Sequence, residues 1–426
     1  MASGPGGYQG TPASHPLRAV LAGSSRRRAR VPTMVVGLAA VVVVAGLGAN
    51  ALMAWAARRQ LSVAAPPAAE LPPVSILKPL KGVDAGLAAN LESFFRLAYP
   101  RYEVILGVAD AEDPALAVAR HVAAAHPEVP SRLVADPREV GLNPKVNNLA
   151  NLARYASHDV LLISDSNIRV RPGYLADLAA HLVRPGVGLV SSPFRAAAAG
   201  GGGGAIEALQ LNTFVLGGVA AVHRLLGGVC VVGKSMLLRR ATLEAIGGFA
   251  FLARYLAEDQ VCGEEVARRG LAVAVSGHVV DNVLGDLSVR RAAGRHLRWA
   301  RIRRRMSPAG YAGELLLQPV FIAAVVAVAR PGGATAALLA AAVAVRAAVD
   351  AAAERAAGVH RPLAVYPLLS AARDLAAGAA WAVPFVSSSV RWRGRTFTIG
   401  PRSLLQGGRK AEAGAGEAAA PALAAP

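Results

Sequence analysis

The stretch VLLISDSNIRV, Val160–Val170, decides how the chain is read. Its apolar run from Val160 to Ile163 has the length and composition of a buried strand, and it stops at Asp165-Ser166-Asn167, which sets a carboxylate on the strand tip. The same grammar repeats outward in both directions. Strands are expected at 74–78, 102–110, 131–136, 159–165 and 187–192, with helices between them at about 84–97, 113–126, 145–156 and 172–183. Such alternation predicts an α/β domain with a mostly parallel sheet covered on both faces. Ligands of such sheets bind outside the carboxyl ends of the strands, where Asp110 and Asp165 both fall.

The flanks of this domain are of a different character. The chain has 426 residues, is 54% hydrophobic and carries a net charge of +19. The excess charge sits in three blocks free of acids, at 1–33, 287–313 and 387–411, while the rest is balanced, so a phosphate-tracking surface for nucleic acid is excluded. Each block adjoins apolar sequence and suits anionic lipid headgroups. Residues 31–57 hold no charge and exceed the roughly 20 residues a spanning helix needs; a cleavable signal peptide is the rival reading. A proline-rich linker follows at 61–73. Apolar arms on either side of Arg330-Pro331-Gly332-Gly333 predict a transmembrane hairpin at 315–345. The apolar segment 363–389 contains Arg373 and Asp374 and can span, re-enter or lie on the surface. The ends, 1–30 and 407–426, have the composition of disordered tails. Cys230 and Cys262 are too few for a disulfide framework.

Four features carry chemistry, each with a plainer reading beside it. Asp110, in GVADAEDPA, can accept hydrogen bonds from a nucleoside, or belong to a helix-capping cluster with Asp113-Pro114. Asp165 can hold a divalent cation against a diphosphate, or simply form a turn. Asp259, beside Glu258 in YLAEDQ, can act as general base or satisfy the dipole of the helix it opens. In RHLRWARIRRRM, 295–306, Arg295 and Arg298 share a helical face next to Trp299, which suits a diphosphate, while Arg301 and Arg303 to Arg305 suit lipid headgroups on an interfacial helix over 289–306. The GGGGG run at 200–204 lacks the Gly-Lys-Ser/Thr ending of a phosphate loop and reads as a flexible loop; Cys230 reads as a small buried strand residue.

Together the segments VSILKPLKGVD (74–84), NLESFFRLAYPRYEVILGVADAEDPA (90–115), GLNPKVNNL (141–149), DSNIRV (165–170), CVVGKSMLLRR (230–240), YLAEDQ (255–260) and RHLRW (295–299) resemble the membrane-bound, inverting transferases of glycosyltransferase-A fold, and among them ceramide glucosyltransferases. The resemblance covers about 72–312 and implies a catalytic domain there. It implies that Asp110 contacts the uridine of a UDP-sugar, that Lys145 lies near the nucleotide, and that Asp165 holds Mg²⁺ or Mn²⁺. It further implies that Asp259 is the catalytic base and that Arg295, Arg298 and Trp299 form the (Q/R)xxRW motif that grips the departing diphosphate. Cys230 matches a cysteine near the site in ceramide glucosyltransferases. Asn167 departs from the pattern, standing where many relatives carry a second Asp. The implied reaction is inverting transfer, most readily of glucose, from a UDP-sugar to a membrane lipid. Ceramide is the first acceptor and a hopanoid the alternative; a processive polysaccharide synthase is disfavoured by the few spans after the domain. UDP-sugars are cytoplasmic, so a multi-pass protein with its catalytic domain facing the cytoplasm is expected, although this sends the five-Arg tail outside against the positive-inside rule.

Overall fold

The computed structural model describes residues 1, 16–68, 70–392 and 395–410, with backbone alone at 16–33 and 408–410. The expected strands form as β1 Val74–Pro79, β2 Tyr102–Val108, β3 Ser131–Ala135, β4 Val160–Ser164 and β6 Val187–Ser191. The short β5 Ile168–Arg169 precedes β6, and β7 Phe194–Gly200, β8 Ser235–Arg239, β9 Ala272–Val275 and β10 Val280–Asp286 follow it. Seven strands make the main sheet in the order β3-β2-β1-β4-β8-β6-β9, parallel throughout except at β8, which runs against β4 and β6. This is the mostly parallel, Rossmann-like sheet expected. The first crossovers, β1 to β2 to β3 and then β4 on the other side of β1, leave the tips of β1 and β4 side by side, with Val74 in register with both Tyr102 and Val160.

Every residue of β1 and of β4 is buried because helices cover both faces. Successive side chains alternate between two cores. Ile76, Val104 and Leu162 face one core with the helices Leu87–Phe95, Ala115–Ala124 and Tyr174–Leu182. Leu77, Ile105, Leu161 and Ile163 face the other, with the helices Pro144–Ala153 and Glu258–Arg268. Each such aliphatic side chain stabilises the fold by about 1.5–3 kcal/mol. A second sheet, β5-β10-β7, braces the Asp165 turn through Val283 N–H donating to Asn167 O at 2.8 Å. A third sheet is formed by β11 Ser389–Trp392, β12 Arg395–Ile399 and β13 Leu405–Lys410.

Around this domain lie helices long and apolar enough to cross a membrane, namely Met34–Leu61, Gly201–Leu225 and Gly333–Ala356, together with a pair, Pro308–Leu317 and Pro319–Ala329, bent by 66°. The first lies within a helix that begins at Pro16, inside the expected basic tail; residues 2–15 lie outside the described residues. The hairpin expected at 315–345 extends further, because its second arm runs on to Ala356 through Arg346, Asp350 and Glu354. These charges do not end the helix since they are met inside the protein. Arg346 and Asp350 pair with Arg373 and Asp374 of the helix Tyr366–Ala380, and all four are buried. The expected tail at 407–426 starts as strand β13, and residues 411–426 lie outside the described residues.

The glycine run is the largest correction. Gly200 ends β7 and Gly201–Leu209 is helical, continuing through a π-helical stretch, Gln210–Val215, into Leu216–Leu225. The glycines serve close approach rather than flexibility. A Cβ on Gly203 would lie 2.4 Å from the Ser288 carbonyl, and Gly201 takes φ 69° where the chain turns from strand to helix. The helix Val289–Met306, which carries RHLRW, therefore packs directly on this segment.

Candidate active site

The NPK motif at 143–145 shows how local structure aims a side chain. Asn143 caps the helix Pro144–Ala153, its Oδ1 accepting from Lys145 N at 3.0 Å and Val146 N at 3.2 Å, and Pro144 occupies the first turn, where no N–H is needed. The Asn143 Nδ2 donates to Tyr255 O at 2.7 Å and Glu258 Oε2 at 3.3 Å, which ties the helix start to the Glu258-Asp259 turn more than a hundred residues away. Lys145 is thereby held with its Nζ 2.8 Å from Asp165 Oδ1 and 2.9 Å from Glu258 Oε1. The other Asp165 oxygen lies 3.0 Å from Lys234 Nζ, which also donates to Asn167 Oδ1 at 3.1 Å. Lys78 completes the cluster, donating to the Asp165 carbonyl at 2.6 Å and standing over the Phe94 ring at 3.8 Å.

Asp259 reaches the same cluster through Gly233. The Gly233 N–H donates to Asp259 Oδ2, and Gln260 N donates to Oδ1 at 2.8 Å. A Cβ at Gly233 would sit 2.9 Å from Asp259 Oδ2 and 3.1 Å from Lys145 Nζ, so glycine is what allows the base candidate and the lysine to share one loop. Asp259 and Glu258 both occupy the first turn of the helix Glu258–Arg268. The dipole reading and the site reading are thus satisfied by the same residues.

Burial governs the protonation of the cluster, and charge decides its sign. Burial and then Glu258 push the Asp259 carboxyl up, to about 6, against Lys145 and two backbone N–H donors. Burial opposes charge on Asp165 as well, but Lys145 and Lys234 overcome it and hold that carboxyl below the usual range. Burial alone would lower Lys145, yet Asp165, Glu258 and Asp259 together raise it. Lys78 has weaker compensation, and burial brings it down to about 7. Lys234 is also lowered, by burial first and with Arg295 among the causes, which places Arg295 within electrostatic reach of the cluster.

The remaining candidates are distributed around this centre. Asp110 is exposed past the end of β2, its Oδ1 accepting from Glu112 N at 3.0 Å. The capping role falls to Asp113, whose Oδ1 takes Ala115 N and Gly82 N, both at 2.9 Å. The 80–86 loop so anchored reaches the Asp165 turn, where Ser166 Oγ donates to Asp84. Arg295 donates to Glu207 Oε1 at 3.1 Å, and Trp299 packs against the core beneath the sheet. Arg303, expected at headgroups, is held inside by Glu314 at 2.7 Å and 3.1 Å and lies over Phe214. Cys230 stands on a loop rather than a strand, and burial, with Asp259, pushes its thiol up to about 11 while Arg303 opposes. Sequence reasoning missed Lys78, Lys234 and Glu207. The Gly233-Lys234-Ser235 triplet was the available signal for the second; a lone Lys in VSILKP and a lone Glu in an apolar helix offered none.

The Lys234 ammonium is already drawn between two hard oxygens, those of Asp165 and Asn167, and this donor pair suits a divalent ion whose other ligands come from a diphosphate. Among the described residues no group of three His, Cys, Asp or Glu side chains is gathered for a metal, so the protein alone supplies few ligands.

The acids and lysines gathered past the strand tips lie within electrostatic reach of Arg295 on the Val289–Met306 helix. The sequence profile of glycosyl transferase family 21 matches residues 38–405. The chain belongs to that family. It is similar to ceramide glucosyltransferase 3 of Caenorhabditis elegans, 32% identical over 239 residues, covering 56% of this chain and 52% of that protein. It is also similar to the ceramide glucosyltransferase of Komagataella phaffii, 26% identical over 289 residues, covering 55% and 57%. The chain thus spans about half the length of the curated relatives it matches. Among solved structures it aligns with mannosyltransferase PcManGT from Pyrobaculum calidifontis in complex with GDP-Man and Mn²⁺, at 20% identity and TM-score 0.46, over 81% of this chain and 98% of the other.

Proposed function

We propose that this chain transfers a sugar, glucose first, from a UDP-sugar to the hydroxyl of a ceramide-type membrane lipid, with inversion at the anomeric carbon. The observation that carries the reading is one buried cluster in which Lys145 pairs with Asp165 and Glu258 and donates to the Gly233 carbonyl at 3.2 Å, while the Gly233 N–H donates to Asp259; in it the Asp259 carboxyl is raised and the Asp165 carboxyl is lowered. One acid is poised to take a proton and the other stays charged. Asp259 removes the acceptor hydroxyl proton as that oxygen attacks the sugar from the face opposite the nucleotide. The new glycosidic bond forms as the bond to UDP breaks, giving a β-linked product from an α-linked donor. Lys145, Lys234, Arg295 and Arg298 surround the negative charge that develops on the diphosphate. Asp165 with Asn167 would hold Mg²⁺ or Mn²⁺, which supplies further charge neutralisation when bound. Asp110, exposed at the end of β2, is the ligand proposed for the uridine.

The domain is proposed to face the cytoplasm, where UDP-sugars are found, with the basic blocks against anionic headgroups. Labelled UDP-glucose and ceramide in detergent micelles, with mass spectrometry and linkage analysis of the product, test the proposal. A β-linked hexosylceramide made with Mg²⁺ or Mn²⁺, and lost or shifted to higher metal in Asp165→Ala, is expected. Absence of lipid product overturns the transferase reading, an α-linked product overturns inversion, and full turnover in excess chelator overturns the metal.

A further inference from the structure

Between the helices Gly201–Leu209, Val289–Met306 and Tyr366–Ala380 lies a cavity of about 120 Å³. Its wall is largely apolar, built from Ile206, Val289, Ala292, Leu297, Ala376 and Ala380. Its polar lining is confined to Glu207, Gln210, His296 and Arg373. A second, smaller cavity of about 10 Å³ shares Gln210, His296 and Ala377 with it and is lined further by Arg303 and Gln318.

Two buried polar atoms at these cavities have no hydrogen-bond partner among the described residues. They are Nε of Arg373, a donor on the wall of the larger cavity, and Oε1 of Gln318, an acceptor on the wall of the smaller. A natural structure seldom leaves such atoms unmet unless a ligand or water meets them. The cavities also connect to the chemistry already described. Glu207, on the wall of the larger cavity, holds Arg295 at 3.1 Å, and Arg303, on the wall of the smaller, lies within electrostatic reach of the Cys230 thiol, where it opposes Asp259. Burial keeps the His296 imidazole neutral, down to about 4, so it can accept as well as donate a hydrogen bond.

We infer that the larger cavity receives the first few methylenes of an alkyl chain of the acceptor lipid and that the acceptor's amide and its non-reacting hydroxyl meet His296, Gln210 and Arg373. The inference rests on the lipid-transfer reading above and assigns that reading a binding site. A free sugar or a peptide would leave the alanine wall unmatched, whereas an acceptor with a long chain and a small polar head satisfies both ends. The location favours a lipid as well, since one bounding helix belongs to a segment apolar enough for the bilayer.

The test uses the full chain in phosphatidylcholine vesicles with a diazirine-bearing ceramide, and maps crosslinks by mass spectrometry. Labelling of peptides from 289–297 or 373–380 that excess unlabelled ceramide suppresses is expected. Ala293→Phe and Ala376→Phe, exposed alanines at the rim, should raise KM for ceramide by about tenfold while leaving KM for the UDP-sugar nearly unaffected. Ala379→Phe, exposed on the same helix but outside the lining, serves as control. Equal labelling by a diazirine phosphatidylcholine, crosslinks elsewhere, or rim variants that match the control would overturn the site while leaving transfer intact. Loss of all lipid transfer in the wild-type protein would instead strike the parent reading, and ceramide-specific crosslinking would still decide what occupies the cavity.

Discussion

At Asp259 the environment sets two demands against each other. The carboxylate must be charged at neutral pH to accept a proton, yet basic enough to want one, and burial beside Glu258 meets both by raising its pKa to about 6. Only the deprotonated form works, so kcat/KM should rise with pH through an acid limb centred near 6 and level off above it. A limb in the ordinary carboxylate range near pH 4 would contradict this assignment. Asp259→Asn should reduce turnover by about 10²–10⁴-fold, with UDP affinity, measured by calorimetry, within a few-fold of wild type. Activity within a few-fold of wild type would move the base to Glu258, whose side chain already contacts Lys145. All these residues were visible in the sequence as an ordered set of motifs. What the motifs left undecided was whether each acid capped a helix or served a site. At 110–113 the capping role goes to Asp113, whereas at 258–259 one pair of acids does both.

Elements behave less locally. The C-terminal sheet lies against the segment that leads into the base, through a small core of Leu256, Val390, Phe397, Ile399 and Leu405. Ser403 accepts hydrogen bonds from Leu256 N and Ala257 N at 3.0 Å each, and Leu404 bridges to Tyr255. Arg402 pairs with Glu264 and Glu265 at 2.9 Å. The sheet therefore clamps the first turn of the Glu258–Arg268 helix. Phe397→Ala, which empties a fully buried ring position, should destabilise the protein by about 3–5 kcal/mol, read as a fall in thermal midpoint. It should also lower kcat more than UDP affinity, because the clamp touches the base turn; unchanged kcat in folded protein would show that the sheet only caps the domain. Nothing in RWRGRTF signals this role, since a strand that pairs with its own hairpin and packs on a loop more than a hundred residues earlier leaves no periodic mark.

For the whole molecule, the packed C-terminal sheet limits the topology of what precedes it. Residues 389–405 touch the same domain that ends in the Val289–Met306 helix, so the chain between must leave and return to one side of any membrane it enters. The Gly201–Leu225 segment obeys the same constraint, since strands β7 and β8 of the domain flank it. A single full crossing there would separate them, which favours an interfacial or half-inserted path. The same constraint bears on the 363–389 segment, which we propose does not cross singly. Its Arg373 and Asp374 face the buried partners Asp350 and Arg346 rather than lipid, and a one-way span would carry the sheet away from the domain. If the domain faces the cytoplasm as proposed, single cysteines at exposed Thr398 and at Glu128 should both resist an impermeant thiol reagent in intact cells and react after permeabilisation. Labelling of position 398 alone in intact cells would refute this shared side.

The sequence by itself determined the parallel sheet, the acids at its strand tips, the helix that begins near Lys145, and the Arg/Trp helix. Each of these is written in short-range pattern: a β-branched run, its alternation with helical stretches, a helical spacing of arginines. Tertiary structure alone decided the lysine pair around Asp165, the Glu207–Arg295 contact, the buried charge cluster that lets a helix run on through Arg346, Asp350 and Glu354, and the C-terminal clamp. These join groups from about 20 to about 150 residues apart, and a contact at such range is set by how packed elements meet, for which a one-dimensional pattern holds no period.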